Sequence, residues 1–372
     1  MPLSTSSSKR LTASDRPGVA QPVPVRDVPE RPWPRLLLGA LLLAVVLTGA
    51  WEWHWRAFGV VPGSRDDDAA WARQRRRIDA GEGDATVLIG SSRTYFDVQL
   101  PVWERLSGHR PIQLALVGTS PLLELEDLAK DQAFKGRLLI GIAPDLFFSG
   151  YAYRGSALAN FPKEMPSQRV GKLLSMHLIE RYFAFYDPDF ALFTILRRQA
   201  WPARKDLAGR TQVRKLSIAE ADRNAYMWNK LETDPAYRAL ARSIWTADFD
   251  PPPATPKEAA ENQRTLDAQI TRAAAAVATL RARGVPVLFV REPSIDDYYA
   301  YENRMLPRQK AWDVLLAKTG APGIYFEDYP ELRSGYELPE WSHMTRASAE
   351  RYTAALYRIM ARDFAPPDGS RW

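Results

Sequence analysis

The sequence predicts an α/β protein built on a five-stranded parallel sheet. Short apolar, partly β-branched runs recur at residues 86–89, 112–117, 138–143, 285–290 and 324–326. Their lengths suit strands buried on both faces. Helical patterns separate the runs, and strand–helix alternation implies a parallel sheet covered on both sides. With 372 residues, 46% of them hydrophobic, the chain can bury a sizeable core in one large domain or two ordinary ones.

Residues 1–35 are rich in Ser, Pro, Arg and Val and have no structural period, which predicts a disordered tail. Residues 36–51 form a run of sixteen without a charge, with Trp33 at one edge and Trp51, Trp53 and Trp55 at the other. This predicts a single transmembrane helix over residues 36–56 with aromatic anchors at both interfaces. A cleaved signal peptide is the rival reading, with Thr48-Gly49-Ala50 as a small-residue site, but the long preceding tail favours an uncleaved anchor. Orientation is not marked by charge: Arg16, Arg26, Arg31 and Arg35 precede the run, and Arg56, Arg65, Arg73 and Arg75 follow it. The polar residues 57–84 read as a stalk or a peripheral helix.

A globular domain is expected over residues 85–364. It opens with ATVLIGSSRTY at 85–95. The strand ends at Gly90, and Ser91 and Ser92 follow at the carboxyl edge, where α/β sheets place reactive groups. Neighbouring backbone N–H groups there can face an oxyanion. The same Gly-Ser-Ser also reads as an ordinary strand-to-helix turn with a serine cap. A short helix is expected at 102–106, and the second strand ends at Gly118. Ser120 and Pro121 then start a helix that turns Leu122, Leu125 and Leu128 inward.

Residues 146–256 break the alternation. They hold an aromatic stretch at 181–193 and a basic one at 197–215. Two readings stand: a helical insertion with its own small core, or, over 173–193, a lid or membrane-surface element. Thr255, Pro256 and Glu258 make a capping-box start for a long helix carrying Leu266, Ile270, Ala273, Val277 and Leu280 at steps of four and three. Gly284 ends it. REPSIDDYYAYENR at 291–304 follows the fourth strand and brings Arg291, Tyr298 and Tyr299 to the sheet rim. A further helix is expected around 312–316.

Near the end, Glu340-Trp341-Ser342-His343 precedes an amphipathic helix with Tyr352, Ala355, Leu356, Ile359 and Met360 on one face. An acid three residues before a histidine can reach its imidazole and fix the tautomer. The other ring nitrogen is then free to take a serine proton. Glu337 and Asp328 are fallback acids. The chain has only four histidines, and His54, His109 and His177 have no metal-ligand company. No metal or organic cofactor is implied. The absence of cysteine excludes disulfides and thiol chemistry. The net charge of +6 forms no basic stripe. It reads as solvated surface, or attraction to anionic lipid or polymer, and not as a nucleic-acid interface. Residues 365–372 read as a tail.

An early Gly90-Ser91-Ser92 and a late acid-x-x-His around a five-strand α/β chain resemble the SGNH (GDSL-like) hydrolase superfamily. The resemblance covers residues 85–362 around an unmatched middle. Its Gly-Asp-Ser-like motif places the nucleophile at Ser92, and its Asp-x-x-His falls on Glu340 and His343. IGSSRTYFDV and ELPEWSHMTRASAERY look most like the membrane-anchored branch, which includes alginate O-acetylation and D-alanyl-lipoteichoic-acid transfer proteins. The resemblance implies a three-layer flavodoxin-like fold with strand order 2-1-3-4-5. It also implies an oxyanion hole from the N–H groups of Ser92 and Gly118. The implied activity is a serine esterase or O-acyltransferase acting on an envelope polysaccharide. The implied partners are that polymer or an acyl donor, the lipid bilayer and a membrane-bound O-acyltransferase. The implied location is the inner membrane, single-pass, with the large domain facing the periplasm or exterior. The family's Gly-x-Asn-Asp corresponds to residues 141–145, GIAPD, which lack the asparagine. One oxyanion donor is worth about 3 to 4 kcal/mol, so a catalytically weak polysaccharide-binding or assembly protein is the alternative.

Overall fold

The computed structural model describes residues 31–198, 215–247, 249–366, 369 and 371–372. Most of the expected N-terminal tail and of the basic 197–215 stretch lies outside the described residues. Internal contacts divide the chain into Met1–Ala50 and Trp51–Trp372. The described part of the first unit is the start of a 26-residue helix, Trp33–Phe58. At 1.5 Å per residue this helix is about 39 Å long, more than the roughly 30 Å of a bilayer's hydrocarbon core. It is long and apolar enough to cross a membrane.

The strands described in the second unit are β1 (Thr86–Ile89), β2 (Ile112–Gln113), β3 (Arg137–Gly141), β4 (Ser217–Ala219), β5 (Ala225–Met227), β6 (Val287–Arg291) and β7 (Gly323–Tyr325). Five form a parallel sheet in the order β2-β1-β3-β6-β7. The expected α/β class, five-strand count and order are therefore present. Val87, Leu88, Ile89, Leu138, Leu139, Ile140, Leu288 and Phe289 are fully buried. Each large apolar side chain so buried contributes about 1.5 to 3 kcal/mol. β2 is shorter than expected, although the N–H groups of Leu114 and Leu116 still reach the carbonyls of Leu88 and Gly90 at 2.8 and 2.9 Å.

The sheet is covered on both faces. The Pro256–Ala282 helix, with its Thr255–Glu258 capping box, packs against Leu122–Lys130 and Trp312–Thr319. The Arg346–Asp363 helix packs against Ser92–Asp97 and Leu100–Ser107. The chain leaves β1 for β2 on one side and returns to β3 on the other, and right-handed crossovers put these connections on opposite faces. The carboxyl end of β1 is therefore a topological switch point.

Two segments differ from expectation, and the insertion matches one of its two readings while doing more than that reading expected. The Asp68–Arg77 helix, within the expected stalk, is part of the domain: Trp71 is buried and donates its indole N–H to the Leu114 carbonyl at 2.8 Å. Its polar sequence hid this, because Arg75 is buried through ion pairs with Asp127 and Asp131. Trp372, in the expected tail, is buried and bonds the Phe364 carbonyl. The insertion does have a small core, in which Ala184, Phe190, Met227 and Trp228 pack with Trp55 and Val60. It also grips the sheet. Arg223, at φ 66°, is buried in the β4–β5 turn and donates to the carbonyls of Gln113 and Ala115, covering the β2 edge.

Thr94 packs between two strand ends. A Cβ at Gly90 would lie 2.0 Å from Thr94 Oγ1, and one at Gly141 would lie 1.7 Å from that atom and 2.3 Å from Glu292 Oε1. Gly141→Ala is therefore expected to cost at least about 1 to 3 kcal/mol, read as a lower melting temperature. Gly171→Ala, on a helix with open space at that position, should cost nothing.

Burial lifts the carboxyl of Glu124 from its ordinary 4.5 to about 8. Below pH 4.5 it is protonated folded or unfolded. As pH rises, the unfolded chain ionises first, so stability erodes progressively until about pH 8. Glu124→Gln removes that erosion. Its gain in melting temperature should be small near pH 4.5 and grow up to about pH 8.

Candidate active site

The site forms at the carboxyl end of β1. Gly90 leaves the strand, Ser91 is extended, and Ser92 is the first residue of the Ser92–Asp97 helix. Neither serine acts as the expected cap. Ser91 makes no side-chain capping bond, and the Ser92 hydroxyl lies 2.8 Å from His343 Nε2. The His343 Nδ1 atom lies 2.8 Å from Glu340 Oε1. A carboxylate only accepts, so Nδ1 carries the proton and Nε2 offers its lone pair to the Ser92 hydroxyl. Ser92, His343 and Glu340 thus form one continuous relay, closed across 251 residues of sequence.

Each member is held by its own element. Glu340 is fully buried and meets three donors: the His343 N–H at 2.7 Å, His343 Nδ1, and the Trp245 indole N–H at 2.7 Å. The acid reaches the imidazole from a turn and not from a helix, since the final helix starts only at Arg346. Trp341 adopts φ 73° within that turn, and its carbonyl accepts the Ile295 N–H. The His343 ring packs on Phe96 at 4.6 Å. Asp97, closing the Ser92 helix, accepts the Met344 N–H at 2.9 Å on its side chain and the Thr353 hydroxyl on its carbonyl. Burial pushes the Asp97 carboxyl well above the usual range.

Behind the relay lies a buried ionic network that the sequence did not disclose. Arg93, next to Ser92, donates to Glu302 at 2.8 Å and to the Ser342 hydroxyl, next to His343, at 3.1 Å. Arg291 meets the other Glu302 oxygen at 2.7 Å. Burial alone would raise the Glu302 carboxyl, but Arg291 and Arg93 outweigh it and hold it below the usual range. Arg291 is therefore occupied, not a rim contact. Tyr298 is occupied too: its hydroxyl donates to Asp145 at 3.0 Å, and Arg93 lies over its ring.

Gly118 follows the stretch in which Leu116 pairs with Gly90, so it lies at the same sheet edge as Ser92. Its φ is 62°, and its carbonyl accepts the Tyr153 N–H at 3.1 Å. Among the described residues no hydrogen bond joins Gly118 to Ser92 or His343, and no side-chain amide bonds either of them. In the stretch that lacks the asparagine, Asp145 points to Tyr298 instead. Of the fallback acids, Asp328 pairs with Arg308, and neither it nor Glu337 bonds His343. His54, His109 and His177 lie apart from the site; His177 Nδ1 faces the Leu173 carbonyl.

Trp245 is the residue that sequence reasoning missed. It belongs to the Pro235–Thr246 helix of the insertion, and nothing local marks it. Arg242, one turn earlier, donates to the Pro339 carbonyl at 2.8 Å and lies over the Trp341 ring. The insertion thus holds the acid-bearing turn at three points. Trp245→Phe keeps the ring and deletes the donor. It is expected to lower stability by about 1.5 to 3 kcal/mol, because a buried carboxylate oxygen loses its partner. It should also slow modification of Ser92 by a fluorophosphonate. An unchanged melting curve and rate would show that Glu340 needs no support from the insertion.

No protein-family model, curated protein sequence or solved structure matches this chain.

Proposed function

We propose that the chain is a membrane-anchored serine esterase or O-acyltransferase of the SGNH type. The observation that carries this reading is the relay from Ser92 through His343 to a fully buried Glu340. Three groups of these types, aligned within hydrogen-bond distance at a topological switch point, are what nucleophilic acyl transfer requires.

In the proposed reaction Ser92 Oγ attacks an ester carbonyl carbon while its proton moves to His343 Nε2. The carbonyl oxygen takes the negative charge and is met by the N–H groups of Ser92 and Gly118. The bond to the leaving alcohol breaks, and the alcohol takes the proton from His343. The acyl-serine then passes its acyl group to water or to an acceptor hydroxyl by the same steps in reverse. Glu340 holds the imidazole orientation and faces the imidazolium charge throughout. By its resemblance to the envelope O-acetylation proteins, the substrate is an O-acyl group, acetyl by preference, on a cell-envelope polysaccharide. The Trp33–Phe58 helix anchors the domain to the inner membrane, with the domain on the periplasmic or outer side beside a membrane-bound O-acyltransferase. One observation favours the second reading, a weakly catalytic binding or assembly protein: GIAPD at 141–145 supplies no asparagine donor, and Asp145 bonds Tyr298 in that stretch.

A fluorophosphonate probe separates the two. Wild type is expected to be labelled on Ser92, located by peptide mass spectrometry. Ser92→Ala should abolish labelling, and His343→Ala should slow it by roughly 10⁴-fold or more. Glu340→Ala should lose less, as an orienting group does. Folded wild type that stays unlabelled would favour the binding protein.

A further inference from the structure

The helix Pro166–Ser175 and the turn Met176–Glu180 that continues it are built inside out. Lys172 and Glu180 face the protein, while Arg169 stays exposed beside Glu164. Lys172 is buried and donates to Glu180 at 3.0 Å, to Asp67 at 3.1 Å and to the Arg65 carbonyl at 2.9 Å. Glu180, also buried, accepts the Arg65 N–H and the Ser175 hydroxyl. The opposite face carries Val170, Leu174 and Leu178, exposed at 55%, 54% and 61%. Steps of four put them in one row. A surface helix in water has the reverse arrangement.

The residues that follow extend the same surface. Phe183 and Phe193 are exposed at 42% and 67%, Arg181 lies over the Tyr182 ring and Arg197 over the Phe193 ring. Exposed apolar side chains interleaved with arginines are the composition of a membrane-interface element. The segment is also tied to the turns where the chain leaves its apolar run. The Glu52 carboxylate accepts the N–H groups of Ala184 at 3.0 Å and Phe185 at 2.9 Å. Arg56 donates to the Tyr182 carbonyl at 2.6 Å, and Trp55 packs on Phe190 at 4.8 Å.

We infer that residues 170–197 form a lipid-docking surface. Its apolar row enters the boundary between headgroups and acyl chains, and Arg181 and Arg197 meet anionic headgroups. The inference rests on the reading of Trp33–Phe58 as a membrane anchor and is independent of the chemistry at Ser92. The occupant is the bilayer because the ties to Glu52, Trp55 and Arg56 keep this surface beside the chain's exit from the span.

The chain has no cysteine, so single spin labels can be placed on the full-length protein without removing any. Leu174→Cys, Leu178→Cys and Phe193→Cys test the surface; Leu42→Cys reports the span and Glu261→Cys the water. Each is labelled in vesicles of phosphatidylcholine and phosphatidylglycerol, and collisions with oxygen and with a water-soluble nickel chelate are compared. The oxygen-to-nickel ratio at the three test sites is expected to be several-fold above that at Glu261→Cys and to approach that at Leu42→Cys. A ratio equal to the Glu261→Cys value, with Leu42→Cys in lipid, overturns the docking surface and leaves the anchor standing. Low collision rates for both agents, with spin–spin broadening between copies, would mean that a second copy covers the surface, and would also overturn it. A water-like ratio at Leu42→Cys would remove the anchor and the inference together.

Discussion

A carboxyl group with no access to water is tolerated only when its oxygens are met by partners. Glu340 is such a group, and meeting its requirement organises the site. Two donors come from His343 and one from Trp245. The turn that carries the acid, the imidazole and the insertion are therefore coupled through two oxygen atoms. The same rule operates at a second buried carboxylate, with charged donors. Glu302 sits between Arg93 and Arg291, and Arg93 reaches on to Ser342. The residues next to Ser92 and His343 are therefore joined to each other, as Ser92 and His343 themselves are. A buried ion pair of this kind contributes little net stability, but losing one member leaves the other charge stranded. Its effect here is to hold the spacing of the segments that carry Ser92 and His343.

The elements legible in the sequence were those whose cause is local. Apolar runs of strand length placed all five sheet strands, because a strand buried on both faces must be apolar at every position. Thr255 and Glu258 announced their helix because a capping box is complete within four residues. The meeting of Ser92, His343 and Glu340 was legible because a serine at a strand end and an acid near a histidine are short patterns. Gly118 could be placed at the sheet edge for the same reason.

What was missed depends on partners far away in sequence. The Asp68–Arg77 helix looks like solvent-facing stalk until Asp127 and Asp131 are seen to neutralise Arg75. Arg223 reads as an ordinary surface arginine in a turn, yet it is buried and closes an exposed sheet edge. The insertion looked separable, because its aromatic and basic residues have no period in common with the sheet. In space it supplies a donor to Glu340, a clamp on Pro339 and a cover for β2. Each of these is a contact between one side chain and a carbonyl or carboxylate, a class of interaction that leaves no composition signal.

The separation of Ser92 from His343 governs when their contact can form. Ser92 lies in the first third of the chain and His343 251 residues later, with the Trp245 brace between them. During synthesis the early strands can pair while Ser92 has no histidine to bond. Closing so long a loop contributes nothing until the Arg346–Asp363 helix docks against the Ser92–Asp97 helix, and non-local closures of this kind come late in folding. A nascent or truncated chain therefore carries Ser92 without its His343 contact, which forms only once the last helix has been made and seated.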